Sequence, residues 1–464
     1  MGQPTDHSPR AAWMAGQLAK SAGADRTGCA QATTVALLRW SGCTANAPEF
    51  AQLFGDDVSG RKALLAIQSP DSGFRAGTGR VGSAFLSLSR IHCEVAGDIA
   101  VELGLDERTQ FSLRHLFESH DGSGAPDGLR GEEVPDAVSM ASIAGDLDIF
   151  HRLYGLEQAC RLISERAGNL YPERLANAAI AEAAAWIAAL EQDPLHSGRC
   201  ALDEGFADRT TSLEILAAIV DLKLPWMTGY SREVARRARQ AALELGLDTD
   251  RQTRVYRAAL VHGIGRAAIP NMIWETPGKL VESAWERVRL VPYWTARAAR
   301  QIGSLANEAE IASYAYERAD GSGYYREARA AGIPIEGRIL AAAAALTALR
   351  VDRPWREALS EDAAAALMMS EATAGRYDRD VVLALLRRRR VLAQVSVGPM
   401  GNLLTERERD VLRWISRGAS NKSVAQKLSI SPSTVRTHVE SVFRKLECST
   451  RAAATLKATQ LGLI

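Results

Sequence analysis

The sequence predicts an all-α protein, and three observations carry that expectation. Alanine and leucine dominate its apolar residues, while the alternating Val/Ile stretches that mark strands are scarce. Apolar positions recur at helical spacing along most of the chain. The runs are punctuated as helices are, with Ser, Thr or Asp at their starts and Gly at their ends. At 464 residues, 47% hydrophobic and 24% charged, the chain is long enough for two or three domains with cores of their own.

Composition also excludes some classes. The opening MGQPTDHSPR is polar and lacks the apolar core of a signal peptide. No run approaches the roughly 20 apolar residues that a membrane span needs. Ala341–Ala345 is short and bounded by Arg338 and Arg350. Six cysteines, at 29, 43, 93, 160, 200 and 448, form no CxxC pair. Their spacing suggests neither zinc nor a disulfide framework, and the expectation is reduced thiols in a cytoplasmic protein without a membrane partner.

Taken in order, the first dozen residues read as a disordered lead. Helical periodicity starts at Ala30–Trp40, breaks at Asn46–Pro48 and resumes at Glu49–Phe54. GDDVSGR and SPDSGFRAGTGR read as loops. A helix is expected from about Val81 to Leu103, ending at Gly104. A polar loop, FESHDGSGAPDGLRGEEVP, separates it from helical segments between Ser139 and Leu190. DPLHSGR, Asp193–Arg199, marks a boundary. Two phrases of this half return later in the same order. ELGLD at Glu102–Asp106 recurs at Glu244–Asp248, and DGSG at Asp121–Gly124 recurs 199 positions on at Asp320–Gly323. Repeated phrases in one order point to a duplicated module, with one copy shortened because the spacings differ.

The tail, Leu404 to Leu463, is the most legible stretch. Thr405 with Glu408 is a capping box, and the helix it opens carries Val411, Leu412 and Ile415 before Gly418. Ser420 caps a short second helix with Val424, Ala425 and Leu428 inside. Ser431 followed by Pro432 opens a third, burying Val435, Val439, Val442 and Leu446. Thr450 opens a fourth, ending near Gly462. A short helix, a tight turn and a longer helix with a polar outer face is a helix-turn-helix. Ser433, Thr434, Arg436, Thr437, Glu440 and Arg444 on the third helix are the base-reading candidates. Asn421, Lys422, Lys427 and Lys445 are the phosphate candidates. From Met400 to Ile464 eleven Lys/Arg face five Asp/Glu, so this segment is +6, against −5 for the rest and +1 overall. A basic module on a mildly acidic body suits nucleic acid. A small bundle with a solvated charged face is the plainer alternative that charge alone would favour.

The residue string is more specific than the charge. LTERERDVL, RGASNKSVAQKLSISPSTVRTHV and the following KL closely resemble the LuxR/FixJ-type DNA-binding domain over about 60 residues. The resemblance implies that the third helix is the recognition helix, that the fourth helps form a homodimer, and that the partner is double-stranded promoter DNA.

Between Asp221 and Leu386, the phrases IP…PGKL, DGSGY, GRILA, DRPWREAL and YDRDVV resemble the HD-GYP family of helical metal-dependent phosphohydrolases that hydrolyse cyclic di-GMP. The resemblance implies a His/Asp cluster holding divalent metals, and here the chain departs from it. The first His falls at Tyr230. The HD pair is His262 followed by Gly263. Later ligands fall at Val291, at Ala315 and Tyr316, and at Ala344, and the Pro of GYP is Tyr325. One imidazole cannot anchor such a centre. The expectation is therefore a degenerate HD-GYP-like region with no catalytic residue, no metal and no cofactor, and hence not an enzyme. His262, like His92 and His120, reads as a buried, hydrogen-bonded histidine. Tyr230, His262, Trp294, Tyr316, Arg318, Tyr324 and Tyr325 would surround the old site. They either stack a small-molecule effector or fill the core.

The resulting layout is a helical HD-like half at 1–200, a second HD-GYP-like domain at 201–390, a linker at 391–402 beginning after the run Arg387–Arg390, and a four-helix DNA-binding domain at 403–464. The function expected is a DNA-binding regulator with a dimerising, effector-sensing tandem. The competing expectation is a metal-dependent cyclic-dinucleotide phosphodiesterase with DNA targeting.

Overall fold

The computed structural model describes residues 2–66, 80–192, 211–387 and 403–464. Among these residues there is no strand, only four isolated β-bridges between loop residues. No helix among them is long and apolar enough to cross a membrane. The chain divides into two compact units, Met1–Thr211 and Ser212–Ile464. The loop phrase from Ser69 to Gly79, the DPLHSGR boundary, Arg388–Arg390 and the expected linker at 391–402 lie outside the described residues. Cys29, Cys43, Cys93, Cys160 and Cys448 are not joined in disulfides, and Cys200 lies outside the described residues.

The first unit is built from α1 (His7–Ser21), α2 (Arg26–Leu38), α3 (Ala47–Phe54), α4 (Ser59–Leu65), α5 (Arg80–Glu102), α6 (Glu107–Arg114), α7 (Asp136–Tyr154), α8 (Leu156–Glu165) and α9 (Glu173–Gln192). Its core joins Met14 and Leu18 of α1 to Ile143, Leu147 and Phe150 of α7 and to Leu175 and Ala179 of α9. Two expectations are corrected here. The opening residues are not a disordered lead, because helix α1 starts at His7. Asp148 is fully buried on α7, and a buried carboxylate needs donors. His7 Nδ1 at 2.8 Å and Arg10 Nε at 2.7 Å supply them from α1. Burial alone would raise Asp148, but His7 and Arg10 hold it down to about 2. GDDVSGR is likewise not all loop. Asp56 Oδ1 accepts from the backbone N–H of Val58 and Ser59, and Ser59 begins α4.

The second unit contains α10 (Leu213–Asp221), α11 (Tyr230–Glu244), α12 (Thr249–Val261), α13 (Asn271–Trp274), α14 (Glu282–Arg289), α15 (Val291–Ala299), α16 (Ala306–Ala312), α17 (Ile335–Leu349), α18 (Glu361–Thr373) and α19 (Arg379–Leu386). Four more helices follow: α20 (Glu406–Ser416), α21 (Asn421–Leu428), α22 (Pro432–Lys445) and α23 (Arg451–Gln460). Alanine-rich faces of α11, α12 and α17 interlock in its main core, with Val234, Ala238, Ala259, Ile339 and Ala343 all at 0% exposure. Small side chains let these helices approach closely.

The repeated phrases form the same local structures in both units. Asp106 and Asp248 each cap a helix, accepting from the N–H of Thr109 and of Arg251. In the DGSG loops, Asp121 and Asp320 each accept from the N–H and hydroxyl of the serine two residues on. Just before them, Glu118 and Glu317 gather the backbone N–H groups of the returning strand of the loop. Gly124 and Gly323 are required, because a Cβ at either would sit 2.3 Å from a backbone nitrogen. The first copy is the short one: α6 leads straight into its loop, whereas α13 to α16 intervene in the second.

Candidate functional site

The HD-like part of the second unit gathers its polar side chains around the start of α11 and the end of α12. His262 follows α12 and is fully buried. Its Nδ1 lies 2.5 Å from the carbonyl of Ala259, which can only accept, so Nδ1 carries the proton and Nε2 the lone pair. That lone pair faces Nη2 of Arg266 at 2.9 Å. Burial first, and the Arg266 charge second, hold the imidazole neutral by lowering its pKa to about 3. Arg266 is itself 2% exposed. It also donates to the Tyr316 hydroxyl at 3.2 Å, lies over the Tyr230 ring at 4.9 Å, and has Nη1 3.6 Å from Asp221 Oδ1. Asp221 accepts from the N–H and hydroxyl of Ser231. Its burial outweighs these partners and lifts its carboxyl to about 6.

The positions at which the family pattern would place ligands do converge. Tyr230 donates to the carbonyl of Ala344 at 2.9 Å, and its ring lies 5.8 Å from that of His262. The Tyr316 ring lies 6.5 Å from His262 on another side. Gly265 presses against the carbonyl of Val291, where a Cβ would stand 2.0 Å away. Tyr324 stacks on Tyr316 at 5.2 Å with planes 8° apart. The Arg318 charge partly offsets the burial that raises Tyr377 and Tyr324. Tyr325 packs edge-on against Tyr293 and donates no ligand to the cluster. Trp294 is placed differently from the sequence expectation. Its ring packs against Tyr293 and carries Arg297, while the α15 residue facing His262 is its neighbour Thr295, which bridges the His262 carbonyl and the Gly265 N–H. One step along a helix turns a side chain by about 100°, enough to exchange the two.

These residues do not fit the metal centre that the family pattern implies. The single imidazole lone pair is engaged by a guanidinium. Among the described residues no group of three or more His, Cys, Asp or Glu side chains could hold an ion. Sequence reasoning missed Arg266, Asp221, Thr295 and Arg353, whose guanidinium lies over Trp226 at 4.6 Å and Tyr230 at 5.2 Å. Arg266 sits in the 3-10 turn Ile264–Ala268 just past the helix that ends before His262, and no local sequence pattern marks it.

The second candidate surface is the outer face of α22. Ser433, Thr434, Arg436, Thr437, Glu440 and Arg444 are exposed along it. Arg436, 77% exposed on its side chain, is paired with Glu440 at 2.9 Å, a contact weak enough in water to be exchanged. Ser431 caps α22 through the N–H of Thr434, and Pro432 sits at its first turn. On α21, Lys422 is exposed, Lys427 stacks on Trp414 at 4.3 Å, and Asn421 accepts from Arg451 at 2.8 Å. Lys445 is placed away from the expected phosphate position. Its Nζ turns inward to Glu408 at 2.6 Å, which also accepts from Thr405 N–H and the Ser441 hydroxyl. Burial would raise Glu408, but Lys445, Ser441 and Thr405 bring it down to about 2.

Comparison with known proteins matches both parts. Residues 214–381 match the HD domain family, and residues 402–458 match the bacterial regulatory proteins of the luxR family. The chain is 25% identical over 400 residues to 3'3'-cGAMP-specific phosphodiesterase 3 of Vibrio cholerae, covering 79% of this chain and 86% of that protein. It is 36% identical over 100 residues to the nitrate/nitrite response regulator protein NarL of Escherichia coli K12, covering 22% of this chain and 42% of that protein. The crystal structure of a cyclic GMP-AMP specific phosphodiesterase of V. cholerae shares the fold. Its TM-score is 0.57 at 23% identity, over 83% of this chain and 92% of that one.

These matches overturn the expectation that the chain is not an enzyme. A protein aligned with it over most of its length is a phosphodiesterase by name. The expectation rested on the residues at Tyr230, Gly263, Val291, Ala315, Tyr316 and Ala344. The alignment spans 79% of this chain.

Proposed function

Because this chain joins an HD domain of the phosphodiesterase type to a luxR-type DNA-binding domain, we propose that it is a transcription regulator that binds promoter DNA as a homodimer and takes a 3'3'-cyclic dinucleotide in its HD region. The observation that carries the DNA half is the outer face of α22. Its hydroxyl and ionic side chains are exposed while Val435, Val439 and Val442 anchor the helix from behind. Such a face enters a major groove and reads base edges, and a homodimer presents two of them to a two-fold site. The ligand half draws support from the named phosphodiesterase relative and from the stacked Tyr316–Tyr324 pair beside Arg266 and Arg353, groups suited to a base and an anionic phosphodiester. Genome-wide DNA capture with the purified chain, followed by gel shift on the recovered fragments and calorimetric titration with 3'3'-cGAMP, tests both halves. A discrete two-fold site and saturable nucleotide binding are expected. Absence of any preferred fragment removes the regulator reading.

The alignment over 79% of the chain favours a second reading for the same region, turnover of the bound cyclic dinucleotide. Linear dinucleotide accumulating in proportion to protein and time supports it. Recovery of the intact cyclic ligand from a long incubation with divalent metal present removes it.

A further inference from the structure

Within the second unit, the HD-like part holds the DNA-binding part through the short segment that opens α11. Ser416 is the last residue of α20, where carbonyls lack a donor from their own helix. Its carbonyl lies 2.7 Å from Thr228 Oγ1, whose single proton is shared between Ser416 O and Pro225 O at 2.8 Å. Two residues on, Gly418 takes φ +83, and a Cβ there would stand 3.1 Å from the Pro225 ring. Arg232 reaches the other end of the domain. Its guanidinium donates to the carbonyl of Thr459 in the last turn of α23 at 2.8 Å and pairs with Glu214 of α10 at 3.3 Å. A cation on a helix C-terminus is also favoured by the dipole. The HD-like part thus caps two helices of the DNA-binding part.

Burial agrees with these bonds. Ala453, Ala454, Thr455 and Leu456 are four consecutive positions of α23, and all are buried. Four successive side chains point around almost the whole helix, so α23 is covered on every side, whereas a surface helix leaves one face in water. Its own domain covers Ala454 and Ala458, and α10 packs against the helix from the HD-like part. The face of α22 that would meet DNA stays exposed. The same segment runs into the polar cluster: Trp226 carries Arg353, and Tyr230, midway between Thr228 and Arg232, carries Arg266 and bonds Ala344.

We infer that Pro225–Arg232 is the coupling element of this protein, a seat that holds the DNA-binding part at Ser416 and Thr459, leaves the recognition face exposed and ties the part's orientation to the Tyr230–His262–Arg266 cluster. Because the seat leaves α22 open, it aligns the domain and does not block it. The inference rests on the DNA-binding reading above for its consequence, though the seat itself can be tested without DNA. The double variant Thr228→Val, Arg232→Ala removes both caps and touches no residue of α22 or of the cluster. Hydrogen exchange on the full chain should show faster exchange in the last turns of α20 and α23. Affinity for a two-half-site DNA should fall about 10-fold, while affinity for a single half-site stays constant, since two loosely tethered domains no longer share a fixed spacing. Unchanged exchange overturns the seat. Faster exchange with unchanged or tighter two-half-site binding overturns the coupling. If the wild type binds no DNA at all, the regulator reading fails and takes the coupling with it, and the exchange result alone then decides the seat.

Discussion

Arg266 Nη2 lies 2.9 Å from Nε2 of His262, so a buried guanidinium engages the one imidazole lone pair at the centre of the HD-like cluster. The same guanidinium has Nη1 3.6 Å from Oδ1 of the buried Asp221. Arg266→Ala strips that compensation from a buried carboxylate, which typically costs ~3–5 kcal/mol. The unfolding midpoint of the second unit should drop accordingly in urea, and a midpoint within error of wild type would show that Asp221 is neutral and indifferent to its partner.

Arg436 is exposed on α22 and pairs with Glu440 across one helical turn. Arg436→Ala should cost ~1–3 kcal/mol in specific DNA binding and relax preference at one base position. Lys422→Ala should weaken all sequences alike and flatten the salt dependence. Gel shifts on the captured site and on scrambled DNA separate the two outcomes. A uniform loss for Arg436→Ala would move that residue from base reading to phosphate contact.

Glu408 ties α20 to α22 through Ser441 and Lys445. Its folded pKa is depressed to about 2, so the stability it contributes is fully present above the unfolded value of roughly 4.3 and is lost as pH falls toward 2. Acid titration of the full chain, followed through Trp414 fluorescence, should therefore show the DNA-binding part loosening below about pH 4. Glu408→Gln should remove most of that pH dependence and lower stability at neutral pH. An acid transition of unchanged slope in Glu408→Gln would assign it to another carboxylate.

Asp148 is the anchor of the first helix. Asp148→Ala leaves His7 and Arg10 facing each other without an acceptor, and amide exchange along α1 should speed up far more than along α9. Equal protection in the variant would mean that Met14 and Leu18 hold α1 by packing alone.

How far the sequence could be read follows from where the information sits. The caps at Thr405, Ser420, Ser431 and Thr450 are local signals, each needing only three or four neighbouring residues, and all four appear as read. The duplicated phrases were legible for the same reason, since Asp106 and Asp248 cap within their own turn. Helix α1 was missed although Ala11, Met14, Ala15 and Leu18 form a local apolar stripe; the partner that fixes its first turn, Asp148, lies 138 residues from Arg10. The cluster was legible only in part. A family pattern points to Tyr230, His262 and Tyr316, but Arg266 and Arg353 belong to no ligand pattern, and only packing brings them to Tyr230. Lys445 shows the converse: a basic residue on a basic helix whose partner, Glu408, lies on another helix.

The central claim is that one chain links cyclic-dinucleotide occupancy to DNA binding, and linkage is reciprocal by necessity. The most direct measurement is fluorescence anisotropy of the full chain on its captured DNA site, titrated with and without saturating 3'3'-cGAMP. A change in DNA affinity of about 5-fold or more is expected, mirrored by an equal change in nucleotide affinity when DNA is present. Superimposable DNA curves, obtained under conditions where calorimetry shows the nucleotide bound, would contradict it.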